Sequence, residues 1–436
     1  MKLRAEVFDQ VQRLFDLKGF NDHQLHALLR FDAGQGPDVA ILEKAVIASI
    51  EAIPILGTRY VAGDRPHWVG LDSSEWARSF LVARTEAELE SALIARSDEE
   101  RGPQVRVSLL ATEPTALAVT MNHMIGDGAG FKSYLYFLCA LYSRLAADPG
   151  YKPQPLTGGR GIGRVLGRVS LGSKMRALFT QSGDLERSHD RPFPLGAGGP
   201  TRPFIATRKI DREQTAAFRD YGHARGATLN DLVLTAFYRC LFRRLGLGAG
   251  AALTVPAMVD MRRYLGAGEE FSALTNLSSM VATHLDYRPD ENFAATLGRV
   301  KAAMDEKKSR DIGLNNFVTL GLVFRLAGDR WANRLLRVKL KFPLICMTNI
   351  GVLDDARLTF GDRTPNDAYL CGSIKYRPYF QVAMTSYRGE LTLSINLDGT
   401  DSDRATADAV LGDIEAELAV ATAVQHESSP ARAQPS

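Results

Sequence analysis

A histidine followed four residues later by Asp-Gly marks the segment whose residue types and spacing best suit chemistry, Asn122-His-Met-Ile-Gly-Asp-Gly-Ala-Gly130. A histidine side chain has an ordinary pKa of about 6.5, so His123 can remove a proton at neutral pH and return it later. Gly128 and Gly130 let other groups come close to the backbone, and a helix starting at Gly128 offers N–H groups to a developing negative charge. The segment favours acyl transfer with His123 as general base, in which an acceptor hydroxyl or amine attacks a thioester directly.

Asp127 is predicted to have a structural role. The turn between it and His123 places the carboxylate poorly for orienting the imidazole as a triad acid does. We therefore expect a charge-assisted bond to an arginine that fixes the loop. A plainer interpretation of the segment stays open at this point, because a histidine at a strand end is often only a hydrogen-bonded residue and Asp-Gly is a common turn.

The flanking residues predict that this segment connects a strand to a helix. Residues 116–121 form a nearly continuous apolar run of strand length, and residues 131–145 form a long apolar run of helical length. Residues 105–109 alternate apolar and polar side chains and predict a half-buried strand before them. Loops held by such elements are where functional side chains concentrate.

The rest of the pattern predicts two halves. We expect an N-terminal half at residues 1–150, a basic crossover rich in glycine and proline at 151–202, a C-terminal half at 203–425 and a disordered tail at 426–436. Thr228 or Asn230 is predicted to cap a buried helix, and Arg388-Gly389 to form a hairpin turn. Further helices are predicted at residues 4–18, 39–52, 84–100, 162–179 and 402–422, and further strands at 25–31, 253–259, 276–285, 344–350, 380–386 and 390–397.

Composition excludes several classes of protein. The 436 residues are 45% hydrophobic and 24% charged, which is ordinary for a globular chain and unlike a disordered or coiled-coil one. A formal net charge of +3 argues against a dedicated nucleic-acid binder. No apolar run is long enough to span a membrane, and the first residues lack the apolar core of a secretory signal.

The cysteines and histidines predict no disulfide and no metal. None of the four cysteines lies in a C-x-x-C pair, which favours a reduced, cytoplasmic protein. Cys139 and Cys240 fall within apolar helical stretches, where a free cysteine is a small core residue. The other histidines lack the spacing of metal ligands, and no Gly-x-Ser-x-Gly elbow is present.

The motif resembles that of a known superfamily. His123-Met-Ile-Gly-Asp-Gly128 is similar to the His-x-x-x-Asp-Gly motif of the CoA-dependent acyltransferases, which include chloramphenicol acetyltransferase, peptide-synthetase condensation domains, alcohol acyltransferases and wax ester synthases. Other segments agree in order and spacing, so the resemblance covers roughly residues 20–425. These segments are Arg101-Gly-Pro-Gln-Val-Arg-Val107, Val255-Pro-Ala-Met-Val-Asp-Met-Arg262, Thr275-Asn-Leu277 and Thr348-Asn-Ile-Gly351.

This resemblance implies an α/β fold of the α+β type: a pseudo-dimer of two chloramphenicol-acetyltransferase-like domains with a tunnel between them. His123 would lie midway along the tunnel. Asp127 would pair with an arginine of the C-terminal half, for which Arg262 is preferred over Arg263.

The resemblance also suggests which residues contact the substrates. The Gly128 N–H would help to bind the oxyanion, and Asn349 would line the tunnel. Asn122 occupies the first place of a His-His pair found in many members, and we count it with Asn349 and Arg262 as a substrate-binding residue.

The function implied is a stand-alone acyltransferase with no bound cofactor and no metal. Acyl-CoA would be the donor, and a small, hydrophobic alcohol or amine would be the acceptor. Two alternatives stay open: an acyl carrier protein thioester as donor, and a non-catalytic binding or scaffold protein. The pseudo-dimer makes a monomer the simpler expectation.

Two basic runs could contact partners. The crossover run could bind CoA phosphates, an acidic carrier protein or anionic lipid, or could be a solvated helix face. Residues 324–342 have a basic amphipathic pattern that is typical of peripheral membrane contact and equally of a surface helix packing its apolar stripe on the core. The crossover side chains are Lys152, Arg160, Arg164, Arg168, Lys174 and Arg176.

Overall fold

The computed structural model describes residues 1–179, 191–196, 198–266, 268, 271–308 and 311–427. The first elements are β1 (Lys2–Arg4), α1 (Val7–Leu17), β2 (Gln24–Arg30), α2 (Val39–Ala52), β3 (Thr58–Val61), β4 (His67–Gly70), β5 (Phe80–Ala83), α3 (Glu86–Ile94), β6 (Val105–Leu110), β7 (Ala116–Asn122) and α4 (Gly128–Ala147). The others are α5 (Gly163–Leu166), α6 (Leu171–Phe179), β8 (Arg202–Ile210), α7 (Arg212–His223), α8 (Leu229–Arg244), β9 (Ala252–Asp260), β10 (Ser278–Asp286), α9 (Phe293–Lys308), α10 (Leu314–Lys339), β11 (Ile345–Leu353), β12 (Asp367–Cys371), β13 (Lys375–Tyr376), β14 (Phe380–Tyr387), β15 (Glu390–Gly399) and α11 (Asp401–Glu427).

A five-stranded sheet with the order β12-β2-β7-β6-β5 holds the motif. Its central strand β7 pairs antiparallel with β2 and with β6, and every residue of β7 is buried. Helices α2 and α4 pack against each other and share one apolar core with the sheet. Burial of β7 on both faces explains why its sequence is apolar without alternation.

A second, mixed sheet forms most of the C-terminal half, with the order β10-β9-β11-β14-β15-β13 and β8 paired to β15. Strands β11 and β14 run parallel, whereas β9 and β10 are antiparallel. Helices α8, α9 and α11 bury their apolar residues against it. Thr228 caps α8 by accepting a hydrogen bond from the Asp231 N–H, so the predicted cap is confirmed.

Strand β12 joins the two halves in a way the sequence did not predict. It lies within residues 203–425 but pairs antiparallel with β2 of the first sheet, from Asp367 opposite Arg30 to Cys371 opposite His26. Leu358, a few residues earlier, enters the same core as α4. The N-terminal sheet therefore contains one strand that comes from the C-terminal half of the chain.

A third apolar cluster joins α1, the crossover and α10. Helix α10 is interrupted at Gly328, whose φ of 68° lies in the left-handed region that favours glycine. The single helix predicted at 162–179 is two short helices, α5 and α6. Arg160 of the basic crossover is not a docking residue, because its guanidinium binds the Asp9 carboxylate at 2.9 Å in a largely buried ion pair.

All four cysteines are free and buried. Of the predicted tail, residues 426 and 427 belong to α11, and residues 428–436 lie outside the described residues. None of the described helices combines the length and apolar character that crossing a membrane requires.

Candidate active site

His123 lies on the loop that leads from β7 to α4, residues 123–127, here called the motif loop. Its backbone N–H donates to the carbonyl oxygen of His23, 2.6 Å away, next to the start of β2. Its ring and carbonyl face Asn276, just before β10 of the C-terminal half. His123 therefore lies where the two halves meet, and part of its surface stays accessible.

The surroundings of His123 place the proton of the neutral ring on Nδ1. Asn276 Nδ2 lies 3.3 Å from both Nδ1 and the backbone oxygen of His123. The ring also hydrogen-bonds to that same oxygen. An amide N–H can only donate, and of the two ring nitrogens only Nδ1 can reach the backbone oxygen of its own residue. We therefore assign the ring proton to Nδ1, with that oxygen accepting from Nδ1–H and from Asn276. The lone pair is then on Nε2, the nitrogen that can act as a general base.

Burial lowers the pKa of His123 to about 4. The hydrogen bond to its own carbonyl and the Asp127 carboxylate oppose this effect, whereas the positive charge of Lys375 adds to it. The imidazole is consequently neutral at pH 7 and ready to accept a proton.

Asp127 caps α4 and bonds to both halves of the molecule. Its Oδ1 accepts from the Gly130 N–H at 2.8 Å, and its Oδ2 accepts from the Leu277 N–H at 2.6 Å and from Arg262 Nη1 at 2.9 Å. Burial alone would raise the pKa of Asp127, but the guanidinium and these N–H groups outweigh it and hold the pKa below its usual value. These contacts fix the loop, which is the structural role that the sequence predicted.

Arg262 follows β9 and is itself buried. Besides Asp127, its Nη1 binds Asp260 Oδ1 at 3.1 Å, and its Nη2 donates to the Thr275 carbonyl at 2.9 Å. Burial would lower its pKa, but the two carboxylates raise it, so the guanidinium stays charged. One side chain thus links the motif loop, β9 and the segment that carries Asn276. Arg263, the alternative candidate, is exposed.

The two glycines of the motif meet different surroundings. A Cβ at Gly130 would lie 3.2 Å from the Thr275 carbonyl oxygen and 3.3 Å from Arg262 Nη2, so a larger residue would push the halves apart. A Cβ at Gly128 would meet only Ile350, at 3.7 Å, which is an ordinary contact. Gly130 is therefore needed for close approach, whereas Gly128 contributes the N–H at the start of α4.

Asn122 supports the motif loop from below. Its side chain is fully buried, with Nδ2 donating to Gln104 Oε1 at 2.8 Å and Oδ1 accepting from the Met124 N–H at 2.8 Å. Both polar groups are occupied within the protein. The structure thus differs from the expected substrate contact, because Asn122 positions the loop.

Asn349 lies on β11, beside the start of α8. It is exposed, donates to Asn230 Oδ1 at 3.2 Å and accepts from the Gly351 N–H at 2.8 Å. Its neighbour Ile350 is the β11 residue that approaches Gly128. The hydrogen bond to Asn230 directs the Asn349 side chain toward the start of α8.

Sequence reasoning missed three residues that surround His123. Asn276 lies in Thr275-Asn-Leu277, a segment that resembles the superfamily, but the sequence predicted no role for its side chain. His23 has a φ of 44°, unusual for a residue other than glycine, and its buried ring lies 3.3 Å from Glu99 Oε2. Lys375 is buried with its ammonium 4.0 Å from the Phe20 ring centroid. Neither His23 nor Lys375 carries a sequence signal, because each reaches the site only through the tertiary fold.

Comparison with protein families finds a match in the C-terminal half of the chain. Residues 199–360 match the family model for the phthiocerol/phthiodiolone dimycocerosyl transferase C-terminus. No curated protein gives a significant match. The similarity found by sequence thus lies in the C-terminal half and includes Arg262, Asn276 and Asn349.

Solved structures match nearly the whole chain. Polyketide synthase associated protein 5 from Mycobacterium tuberculosis is 15% identical with a TM-score of 0.66, covering 97% of this chain and 98% of its own. The chain therefore shares the fold of that protein. Trichothecene 15-O-acetyltransferase from Fusarium sporotrichioides is 12% identical with a TM-score of 0.71, covering 96% and 95%. The first condensation domain of the calcium-dependent antibiotic synthetase is 16% identical with a TM-score of 0.68, covering 98% and 99%.

The predicted resemblance to the CoA-dependent acyltransferase superfamily and the predicted α+β fold class are therefore confirmed. At these identities the solved structures establish the fold of the chain and not its reaction. Among the described residues, no group of three or more histidine, cysteine, aspartate or glutamate side chains is arranged to hold a metal ion.

The low pKa of His123 predicts how catalysis responds to acid. A base with a folded-state pKa of about 4 is neutral above that pH and is lost only as the pH falls through it. We expect kcat/KM to show no inflection from His123 between roughly pH 5 and 8, where an ordinary histidine would titrate. Measuring kcat/KM across that range tests this, and an acid limb near pH 6.5 that persists in His284→Ala would contradict it.

The substitution Lys375→Met provides a directional check on the same profile. Removing this positive charge should raise the pKa of His123 and move the acid limb to higher pH. An unchanged limb would mean that Lys375 does not influence the base.

Proposed function

We propose that this protein transfers an acyl group from a thioester, acyl-CoA, to an alcohol or amine, with His123 as general base and without an acyl-enzyme. The observation that carries the proposal is a neutral imidazole at the junction of the two halves. Its Nδ1 side is held by its own carbonyl and Asn276, which leaves Nε2 as the basic nitrogen. The fold shared with acyltransferases supports the same assignment.

In the proposed reaction, no residue of the chain forms a covalent bond to the substrate. His123 Nε2 takes the proton of the acceptor hydroxyl or amine as its oxygen or nitrogen attacks the thioester carbon. The resulting oxyanion is bound by the N–H of Gly128 at the start of α4. Collapse breaks the carbon–sulfur bond, and the imidazolium gives its proton to the departing thiolate.

The roles of the other residues follow from their contacts. Asp127 and Arg262 hold the motif loop against the C-terminal half, and Asn122 supports it from the first sheet. We assign Asn349 to the wall of the proposed tunnel at a distance from the motif loop, on the side of α8. The domains at residues 1–150 and 203–425, the tunnel between them, a cytoplasmic monomer and the absence of a bound cofactor remain parts of the proposal.

The acceptor is proposed to be hydrophobic. The matching family is named for a dimycocerosyl transferase of phthiocerol and phthiodiolone. An acyl carrier protein is the alternative donor, because polyketide-associated and peptide-synthetase proteins share the fold. Lys174 and other exposed or half-exposed cations of the crossover could contact either the CoA phosphates or an acidic carrier.

Thiol release from acyl-CoAs ranging from acetyl to palmitoyl, with and without mixed alcohols and amines, tests this function. We expect acceptor-dependent release that the His123→Ala variant loses. Release only from carrier-protein thioesters would select the alternative donor. No release from either kind of thioester would refute the enzymatic proposal in favour of a scaffold.

A further inference from the structure

The C-terminal part of α10, residues 329–339, turns an apolar stripe toward solvent. Trp331, Leu335 and Val338 are spaced by four and three residues, so they lie on one helical face, with 57%, 46% and 74% of their surfaces exposed. Ala332, about 100° around the helix from Trp331, is fully buried in the core. The sequence pattern left open whether the apolar residues of this run pack inward, and the structure divides them: Leu336 and Leu340 pack against the core, whereas Trp331, Leu335 and Val338 face solvent.

Other large apolar side chains are exposed nearer the N-terminal end of α10. Before the interruption at Gly328, Leu326 is 77% exposed. On α6, which packs against α10 through a hydrogen bond from Asn315 to the Ala177 carbonyl, Leu171 and Phe179 are 74% and 78% exposed. Water-soluble surfaces seldom expose several large apolar side chains along one helix, as α10 does at Leu326, Trp331, Leu335 and Val338, without a partner.

Basic side chains border the stripe. Six lysines and arginines and a single acidic residue, Asp329, lie between residues 325 and 341, whereas the whole chain has a net charge of only +3. The guanidiniums of Arg330 and Arg334 lie 5.8 and 5.7 Å from the Trp331 ring centroid. The acidic groups that face them are few: Asp329 binds Arg4, and Asp64 forms an exposed pair with Arg330 at 3.4 Å, which is worth little in water.

We propose that this surface of α10 docks on an anionic lipid bilayer. Exposed fractions of 46–77% at Leu335, Trp331, Val338 and Leu326 show that the apolar side chains project from the protein rather than line a groove, so they suit insertion between lipids better than seating a partner helix. Arginines beside a tryptophan fit the boundary where phosphates meet acyl chains. An acidic carrier protein would complement the charges but would leave the projecting apolar groups in water.

The N-terminal end of α10 contacts β10, the strand that follows Asn276, and Asn276 in turn contacts the candidate base His123. Ser279 Oγ donates to the Gly313 carbonyl at 2.7 Å, and Asn316 Nδ2 donates to the Met280 carbonyl at 3.3 Å, both in β10 just beyond Asn276. Docking through α10 would therefore set the orientation of the site relative to the bilayer, so that a hydrophobic acceptor could enter from the lipid. This consequence rests on the proposed function, whereas the docking itself does not.

Vesicle sedimentation of the full chain tests the docking. We expect binding to phosphatidylcholine vesicles with roughly 30% phosphatidylglycerol and much weaker binding without it. The W331A/L335A/V338A variant should lose about tenfold or more in partitioning. A matched variant, L81A/V82A/V420A, removes three apolar side chains exposed to 40–59% on other surfaces and should bind like the wild type. Equal loss in both variants, or no binding by the wild type, would overturn the proposal.

Tryptophan fluorescence gives an independent readout that does not depend on activity. Trp331 is the exposed one of three tryptophans, so its emission should shift to the blue with anionic vesicles and W331F should lack the shift. The R330Q/R334Q/R337Q variant should bind more weakly, and salt should weaken the wild type in the same way. A changed oligomeric mass in W331A/L335A/V338A, with vesicle binding intact, would instead identify a protein interface and reject the lipid assignment.

Discussion

Replacement of His123 by alanine is expected to lower kcat/KM for acyl transfer by about 10²- to 10⁴-fold, the usual contribution of a positioned general base. The backbone hydrogen bond from residue 123 to the His23 carbonyl survives this substitution, so the motif loop should keep its course. Thiol release measured alongside thermal unfolding separates a lost base from a lost fold.

His284→Ala is the matched control for this experiment. His284 lies in β10, where its Nδ1 bonds to Thr254 Oγ1 at 2.7 Å, away from the motif loop. Its removal should leave kcat/KM within a fewfold of the wild type. If His123→Ala keeps more than about a tenth of the wild-type rate, the chain does not use this imidazole as its base.

The substitution Arg262→Ala is expected to destabilise the protein by about 3–5 kcal/mol, because it leaves the buried Asp127 carboxylate without its charged partner. The loss should reach catalysis as well, since the same guanidinium holds the motif loop beside the Thr275 carbonyl. Urea unfolding followed by circular dichroism measures the first effect, and thiol release measures the second.

Two comparisons make this prediction specific. Arg263→Ala removes the same charge from an exposed neighbour and should change the free energy of unfolding by no more than about 0.5 kcal/mol. The double variant D127N/R262A should cost less than the sum of its parts, because removing both charges leaves neither one buried alone. Equal effects of Arg262→Ala and Arg263→Ala would show that the ion pair is not what joins the halves.

Local pattern was enough to predict the elements that carry the motif. The apolar run before Asn122 and the long apolar run after Gly130 correspond to β7 and α4, because a strand buried on both faces and a buried helix each need continuous apolar sequence. The partner of Asp127 could be suggested only through the superfamily, since Arg262 lies 135 residues away.

What sequence could not predict depends on contacts between distant segments. Asn122 was predicted to contact substrate because of its place in the motif. Its side chain instead donates to Gln104, the residue just before β6. Lys375 reaches the surroundings of His123 because its backbone bridges Asn21, just before His23, and because β13 pairs with β15. Neither the periodicity nor the residue spacing within these segments indicates which distant residues they contact.

The pairing of β12 with β2 has a consequence for how the chain folds during its synthesis. Strand β2 cannot acquire its outer neighbour until residue 371 has left the ribosome, more than three hundred residues after β2 itself was synthesised. Contacts this distant in sequence are slow to form and leave a sheet edge open to unwanted pairing in the meantime. An isolated N-terminal half should thus aggregate when expressed alone, and its solubility should return when a segment containing β12 is supplied in the same cell.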